Sequence, residues 1–361
     1  MYFVYKNKNC PVIIWNTEML LNPLADVRFL QGLTIGRMQS LAPDLQNEAM
    51  LETLALDIIK CAETENVSPD SEQVKISIAC KLGLRKKTYT ETNGETDGIT
   101  VAMIDAVQNC NMPLTEERML FWHEIMIPKT KNGKNNEVNR LSKFMRIKKA
   151  VYKIAGREKT GFRTLANNEI LNFIIWLNTE NRLDSVVKAA IAHLWFVTIR
   201  PFGDGNARMA GIITNMLLAR SDNTSCRFYS MLAQIESDQK QYHAILEKTQ
   251  NENFDITGWL LWFFGSMKKA LKATDTILLN VLRRSKFWKI HNKTPLNNRQ
   301  RLVINRILRV PDCELKSSTW AQMAKCSPDT ALRDIKDLIK KGILRQMPQG
   351  GRSTTYEMTK F

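Results

Sequence analysis

AHLWFVTIRPFGDGNARMAG, residues 192–211, decides how this chain is read. Ahead of its centre, Leu183 to Thr198 is strongly apolar at helical spacing, and behind it Ile212 to Leu218 resumes a buried helical pattern. Between them PFGDGNAR is a short turn: Gly203 and Gly205 bend the chain, and Asn206 and Ala207 start the next helix. Backbone N–H groups converge where such a turn enters a helix, and with the helix dipole they bind anions. Asp204 supplies a hard oxygen for a cation carried by phosphates, and Arg208 a planar donor fork for a phosphate. The same residues also suit a plain connector between two helices, and the turn alone leaves both readings open.

Outward from this centre the chain is helical nearly throughout. Toward the N-terminus, apolar positions near Trp15, Leu20, Leu21 and Leu24 have spacings of three and four, with Pro23 expected to interrupt a helix there. Ala42 to Cys61 and Glu72 to Leu82 repeat the pattern, the second opened by Ser68 and Pro69. Residues 86–98 are polar and glycine-bearing and are expected to be a linker. A run from Ile99 to Asn109 follows, then a cap at Pro113 to Glu117 before the helix that carries Trp122, His123 and Ile127. Lys129 to Lys153 is crowded with lysine and arginine, Glu137 being its one acid. Such a run fits a solvated face or a contact for an acidic or nucleic-acid partner. Beyond the centre, helices are expected over Glu236 to Glu247 and Ile256 to Arg283, and polar residues 289–299 mark a boundary.

The segment from about 316 has the rhythm of helix–turn–helix. A helix over Ser318 to Ala324 turns at Lys325 and Cys326, and Ser327 with Pro328 caps a second. In that second helix Leu332, Ile335, Leu338 and Ile339 share an apolar face, which leaves Thr330, Arg333 and Lys336 elsewhere. Strands at Ile343 and at Ser353 to Met358 flank a turn at 349–352 that ends in Arg352.

The formal net charge of +16 raises a polyanion as a partner. Seven cysteines without a CxxC pair suit a reducing compartment, and four scattered histidines do not suggest a zinc site. No stretch has the length of a membrane span and the first residues do not form a secretory leader, so the cytoplasm is the expected location.

With these residues set out, 192–211 closely resembles the Fic signature, in which HPFxDGNGRxxR follows a helix ending in FVxI. The resemblance extends through 227–250 and 255–263, IWNTEML and QGLTIGRMQSL near the start, GREK at 156–159 and 316–338. It implies a mainly α chain: an N-terminal helical domain (1–90), a Fic or Fido helical core (99–288) and a C-terminal winged helix-turn-helix domain (300–361). Members of that family transfer AMP from ATP to a protein hydroxyl, the motif histidine acting as base and the motif acid holding Mg²⁺. Carried over, the nucleotide and phosphate site is Phe202, Gly203, Asp204, Gly205, Asn206, Ala207 and Arg208, with Asp204 as metal ligand.

Three positions depart from the signature: Arg200 replaces the histidine, Ala207 a glycine, and Gly211 the last arginine. A guanidinium cannot accept a proton near neutrality, and general-base assistance is typically worth about 10²–10⁴ in rate. Cys61 to Asn66 resembles the family's inhibitory helix, with Glu65 and Asn66 matching; Glu65 also fits a simple surface position. In winged helices Thr330, Arg333, Lys336 and Arg352 would face DNA, although such domains also bind proteins. The resemblance therefore implies a chain defective in protein adenylylation that acts as a nucleotide- or DNA-binding regulator. The alternative is an active nucleotidyltransferase using another base. Expected partners are ATP with Mg²⁺, DNA, a protein partner and a second copy of the chain, and no membrane.

Overall fold

A computed structural model describes residues 13–64, 67–84, 94–127, 162–202, 204–224, 226–251, 255–309, 315–347 and 354–359. Over these the fold is mainly α, with one small C-terminal sheet. The expectations for Glu65, Asn66, Gly203, Arg352 and the basic 129–153 run lie outside the described residues. Two units emerge, Met1–Thr274 and Asp275–Phe361.

In the first unit, α1 (Thr17–Gln39) opens on Asn16, whose side chain accepts from the Met19 N–H. Pro23 lies inside α1 and does not end it, contrary to the sequence expectation. Proline removes one backbone donor, and burial of Leu20, Val27, Gln31 and Met38 along the same helix outweighs that loss. Next comes α2 (Pro43–Glu63); α3 (Ser71–Lys81) then starts on Asp70, which accepts from the Glu72 N–H. Asp70, not Ser68 with Pro69, is thus the cap.

The expected linker 86–98 is also corrected, because α4 (Gly94–Gln108) already includes its last residues. Gly98 explains the misreading. A Cβ there would lie 1.8 Å from the Ile125 carbonyl oxygen, so this glycine allows close helix approach and is not a chain breaker. The facing helix is α5 (Glu116–Met126), capped by Thr115 as expected.

The centre of the unit is built from α6 (Phe162–Thr179), α7 (Ser185–Ile199) and α8 (Asn206–Asp222). Asp184 caps α7 by accepting from Val186 and Val187, and it also receives Arg28 Nε at 3.0 Å. Buried residues run without interruption from Val186 to Phe196 in α7, and α8 is nearly as deeply enclosed. Helices hydrophobic on every side belong in an interior, and the turn between these two is consequently held from below. Where one helix was expected over 236–247, α9 (Met231–Ser237) and α10 (Gln239–Asn251) meet at Asp238. Then the first part of α11 (Thr257–Ile290), a helix that continues into the second unit, packs Trp259 into the same core, its Nε1–H donating to the Ala190 carbonyl at 2.9 Å.

The second unit contains α12 (Asn298–Arg309), which the sequence reading did not assign; it buries Val303, Ile304, Ile307 and Leu308. After β1 (Leu315–Lys316) come α13 (Ser317–Ala324), α14 (Pro328–Lys340), β2 (Leu344–Gln346) and β3 (Thr355–Met358). The antiparallel order is β1-β3-β2, with Leu315 opposite Tyr356 and Arg345 opposite Glu357. Lys325 takes a left-handed conformation at the turn, and Ser327 caps α14 by accepting from the Thr330 N–H, as expected. This is a helix–turn–helix with a small sheet, a winged-helix-like arrangement.

Candidate functional site

Arg200 ends α7 in the left-handed region, at φ 44°, with its N–H still donating to the Phe196 carbonyl. A left-handed backbone costs a non-glycine residue roughly 1–2 kcal/mol. The arginine side chain is exposed. The chain then dips: Phe202 is buried, and its backbone is gripped at both ends by Asn206. Its N–H donates to Asn206 Oδ1 at 3.1 Å, while Asn206 Nδ2 donates to the Phe202 carbonyl at 2.7 Å. This reciprocal pair fixes the turn. Gly205 follows at φ 72° and precedes α8 with no side-chain cap.

The Asp204 carboxylate is 70% exposed. Its backbone is not free, because His123 Nε2 on α5 lies 3.2 Å from the Asp204 carbonyl oxygen. The His123 ring also stacks on Phe202 with centroids 3.8 Å apart and planes 12° from parallel. Sequence reasoning missed His123. Its separation from the loop by 81 positions carries no pattern, and only the placing of α5 against α4 and beside the turn brings the two together.

The remaining expected residues divide. Ala207 is exposed beside the turn. Arg208, expected at a phosphate, is only 1% exposed and donates Nη1 to the Met126 carbonyl at 3.2 Å, so it ties α8 to the end of α5. Gly211 is also enclosed: a Cβ there would lie 2.7 Å from Leu232 Cδ2 on α9. The space that a longer side chain would need is filled by leucine.

Two buried polar groups lie apart from the turn. His193 is hydrogen-bonded to Thr214 and Tyr242 and stacked near Trp259, and burial pushes its pKa down to about 4, so it is a neutral core residue. Arg227 sits between Asp57 and Asp222, 4.0 and 3.6 Å from their carboxylates. Burial dominates there, raising Asp57 to about 6 despite the neighbouring guanidinium and the Ser230 hydroxyl. Neither distance to Arg227 is a hydrogen bond, which is why desolvation prevails.

In the second unit Arg333 and Lys336 are exposed on α14, and Lys340, not singled out from sequence, shares that side. Thr330 is half-buried, with its hydroxyl 2.9 Å from that of Ser327. The opposite side buries Ala331, Asp334, Ile335 and Leu338. Asp334 accepts from Asn297 Nδ2 at 2.9 Å and Arg299 Nε at 3.0 Å, anchoring α14 to the start of α12.

Residues 113–218, which contain α5, the turn and most of α8, match the family described as Fic/DOC. Over that span the chain is homologous to the Fic/DOC family. Residues 3–84 match a second family, described only as a domain of unknown function, DUF4172. Protein adenylyltransferase fic-1 of Caenorhabditis elegans is 40% identical over 55 residues, and that of Caenorhabditis briggsae 38% over the same length. Each match takes in 15% of this chain and 11% of the relative. Among solved structures, a Fic family protein from Desulfovibrio desulfuricans G20 is 18% identical with a TM-score of 0.45, covering 99% of this chain and 98% of that one. C. elegans Fic-1 (residues 134–508) is 15% identical with a TM-score of 0.48, covering 72% of each chain. Among the described residues no helix is long and apolar enough to cross a membrane.

Proposed function

We propose that this Fic-homologous chain binds a nucleotide phosphate at the turn between α7 and α8 without transferring AMP to protein, and works as a cytoplasmic nucleotide- and DNA-binding regulator. Arg200 carries the proposal. It stands where the Fic signature has its histidine, and a guanidinium permanently protonated at neutral pH cannot take a proton from a hydroxyl. The turn itself keeps what anion binding needs: an uncapped helix start, Gly205 with positive φ and the Asn206 clamp on Phe202.

ATP with Mg²⁺ is the proposed ligand. Among the described residues no three metal-ligating side chains cluster, while Asp204 presents one exposed carboxylate. That donor set suits a Mg²⁺ that arrives on phosphates, since this ion commonly uses one or two carboxylates together with substrate oxygens. Bound there, the metal would neutralise phosphate charge. Asp204 would hold it, and the backbone from Gly203 to Ala207 would cradle the phosphates. Arg208 keeps its proposed place at a phosphate, with its Nη1 donating to the Met126 carbonyl. Glu65 and Asn66 keep their proposed inhibitory role, weakened because Gly211 gives Glu65 no arginine at the motif's end.

The second unit is proposed to meet DNA through Arg333 and Lys336, with Thr330 at the helix start and Arg352 from the wing. The exposed basic side of α14 supports this.

Calorimetric titration with ATP and Mg²⁺ tests the nucleotide reading. Measurable binding is expected in the parent protein and a marked loss in D204A. Equal affinity in both would make the turn a connector.

A further inference from the structure

We propose that His123 is the positioning residue of the turn: its Nε2–H holds the Asp204 carbonyl and thereby leaves the Asp204 carboxylate facing outward for a phosphate-borne cation. This deepens the nucleotide reading and rests on it. The partner at 3.2 Å is a backbone carbonyl, which can only accept, so Nε2 carries the proton and donates. The Asp204 carboxylate lies farther from Nε2, at 3.8 Å, outside hydrogen-bond range, and remains 70% exposed. The hydrogen bond of the imidazole thus goes to the backbone of Asp204, with the carboxylate at ion-pair distance only for a protonated ring.

Three further features make His123 the floor of the turn. Its ring lies flat against Phe202, whose own N–H and carbonyl are clamped by Asn206. A Cβ on Gly205 would touch His123 Cδ2 and Nε2, both at 3.7 Å, so the backbone passes directly over the ring. His123 is itself buried, on a helix that Thr115 caps and Trp122 fixes by donating to Asp105 at 2.8 Å. A donor so placed has little freedom, which is what positioning of a flexible acidic residue requires.

Two variants separate ring from donor. H123F keeps a flat ring on Phe202 and loses the N–H, whereas H123Q places an amide N–H near the Nε2 position and loses the ring. Circular dichroism first establishes that each variant is folded. Hydrogen exchange of the unliganded proteins is then followed at the Phe202 and Met209 N–H groups, which donate to Asn206 Oδ1 and to the Gly205 carbonyl. H123F is expected to speed exchange there by about tenfold, and H123Q to stay within about threefold of the parent. In titrations, ATP–Mg²⁺ affinity should fall by about tenfold in H123F and recover in H123Q. Exchange in H123F equal to the parent, or no rescue by H123Q, overturns the proposal. A parent protein with no ATP–Mg²⁺ binding overturns the nucleotide reading, and the exchange comparison then decides the His123 hold alone.

Discussion

Gly98 and Gly211 both stand in helices, where glycine ordinarily costs stability, and the structure gives each a reason. G98A would drive a methyl group into the Ile125 carbonyl, so α4 and α5 must separate. A loss of about 1–3 kcal/mol is expected, read from urea unfolding. At Gly211 the obstacle is a side chain, Leu232, which makes the site negotiable. G211R alone should lower the melting temperature, and adding L232A should recover part of the loss; equal melting of the single and double variants would refute that coupling. Asp57 gives a pH dependence with a definite sign. Burial raises its folded pKa from the ordinary 3.8 to about 6, so the folded state keeps the proton longer than the unfolded state. Stability relative to a neutral residue is therefore full below pH 4 and is lost as pH rises through 6, by about 3 kcal/mol for about two units. D57N, which retains an acceptor for Ser230, should gain on the parent by that order between pH 4 and 7. A constant difference across that range would contradict the assignment.

At the scale of elements, legibility followed local signal. Thr115 and Ser327 could be read as caps because a side-chain oxygen three positions before its N–H partner is a short-range pattern. Pro23 and residues 94–98 were misread because packing at a distance overrode a local breaker. The helix over Asn298–Arg309 went unassigned beside a polar stretch, although Val303, Ile304, Ile307 and Leu308 have helical spacing. In the turn, Asp204 and Asn206 were visible from the motif, but the enclosure of Arg208 and the presence of His123 depend on α5 and had no sequence signal. The second unit allows a direct test at this scale. Asp334 holds α14 to the beginning of α12 through Asn297 and Arg299, so D334A should raise hydrogen exchange across 328–340 and cost about 1–3 kcal/mol. If α14 meets DNA, R333A and K336A should each flatten the salt dependence of binding by about one unit of slope. Unchanged slopes in both would move the second unit toward a protein partner.

For the whole molecule, the proposed reading is that the turn keeps a Fic-like architecture while Arg200, Ala207 and Gly211, which depart from the signature, alter its chemistry. At Gly211 a longer side chain would meet Leu232, whose Cδ2 lies 2.7 Å from the position of an added Cβ. Reinstating histidine at position 200 is therefore expected to recover little transfer by itself. Incubation of the intact protein with α-³²P-labelled ATP, Mg²⁺ and a cell extract tests the central claim most directly, with R200A and D204A in parallel. No protein band should carry label above that seen with D204A, in the parent or in R200A. Labelled protein formed by the parent and lost in R200A or D204A would contradict it, and would make the turn a working transferase site.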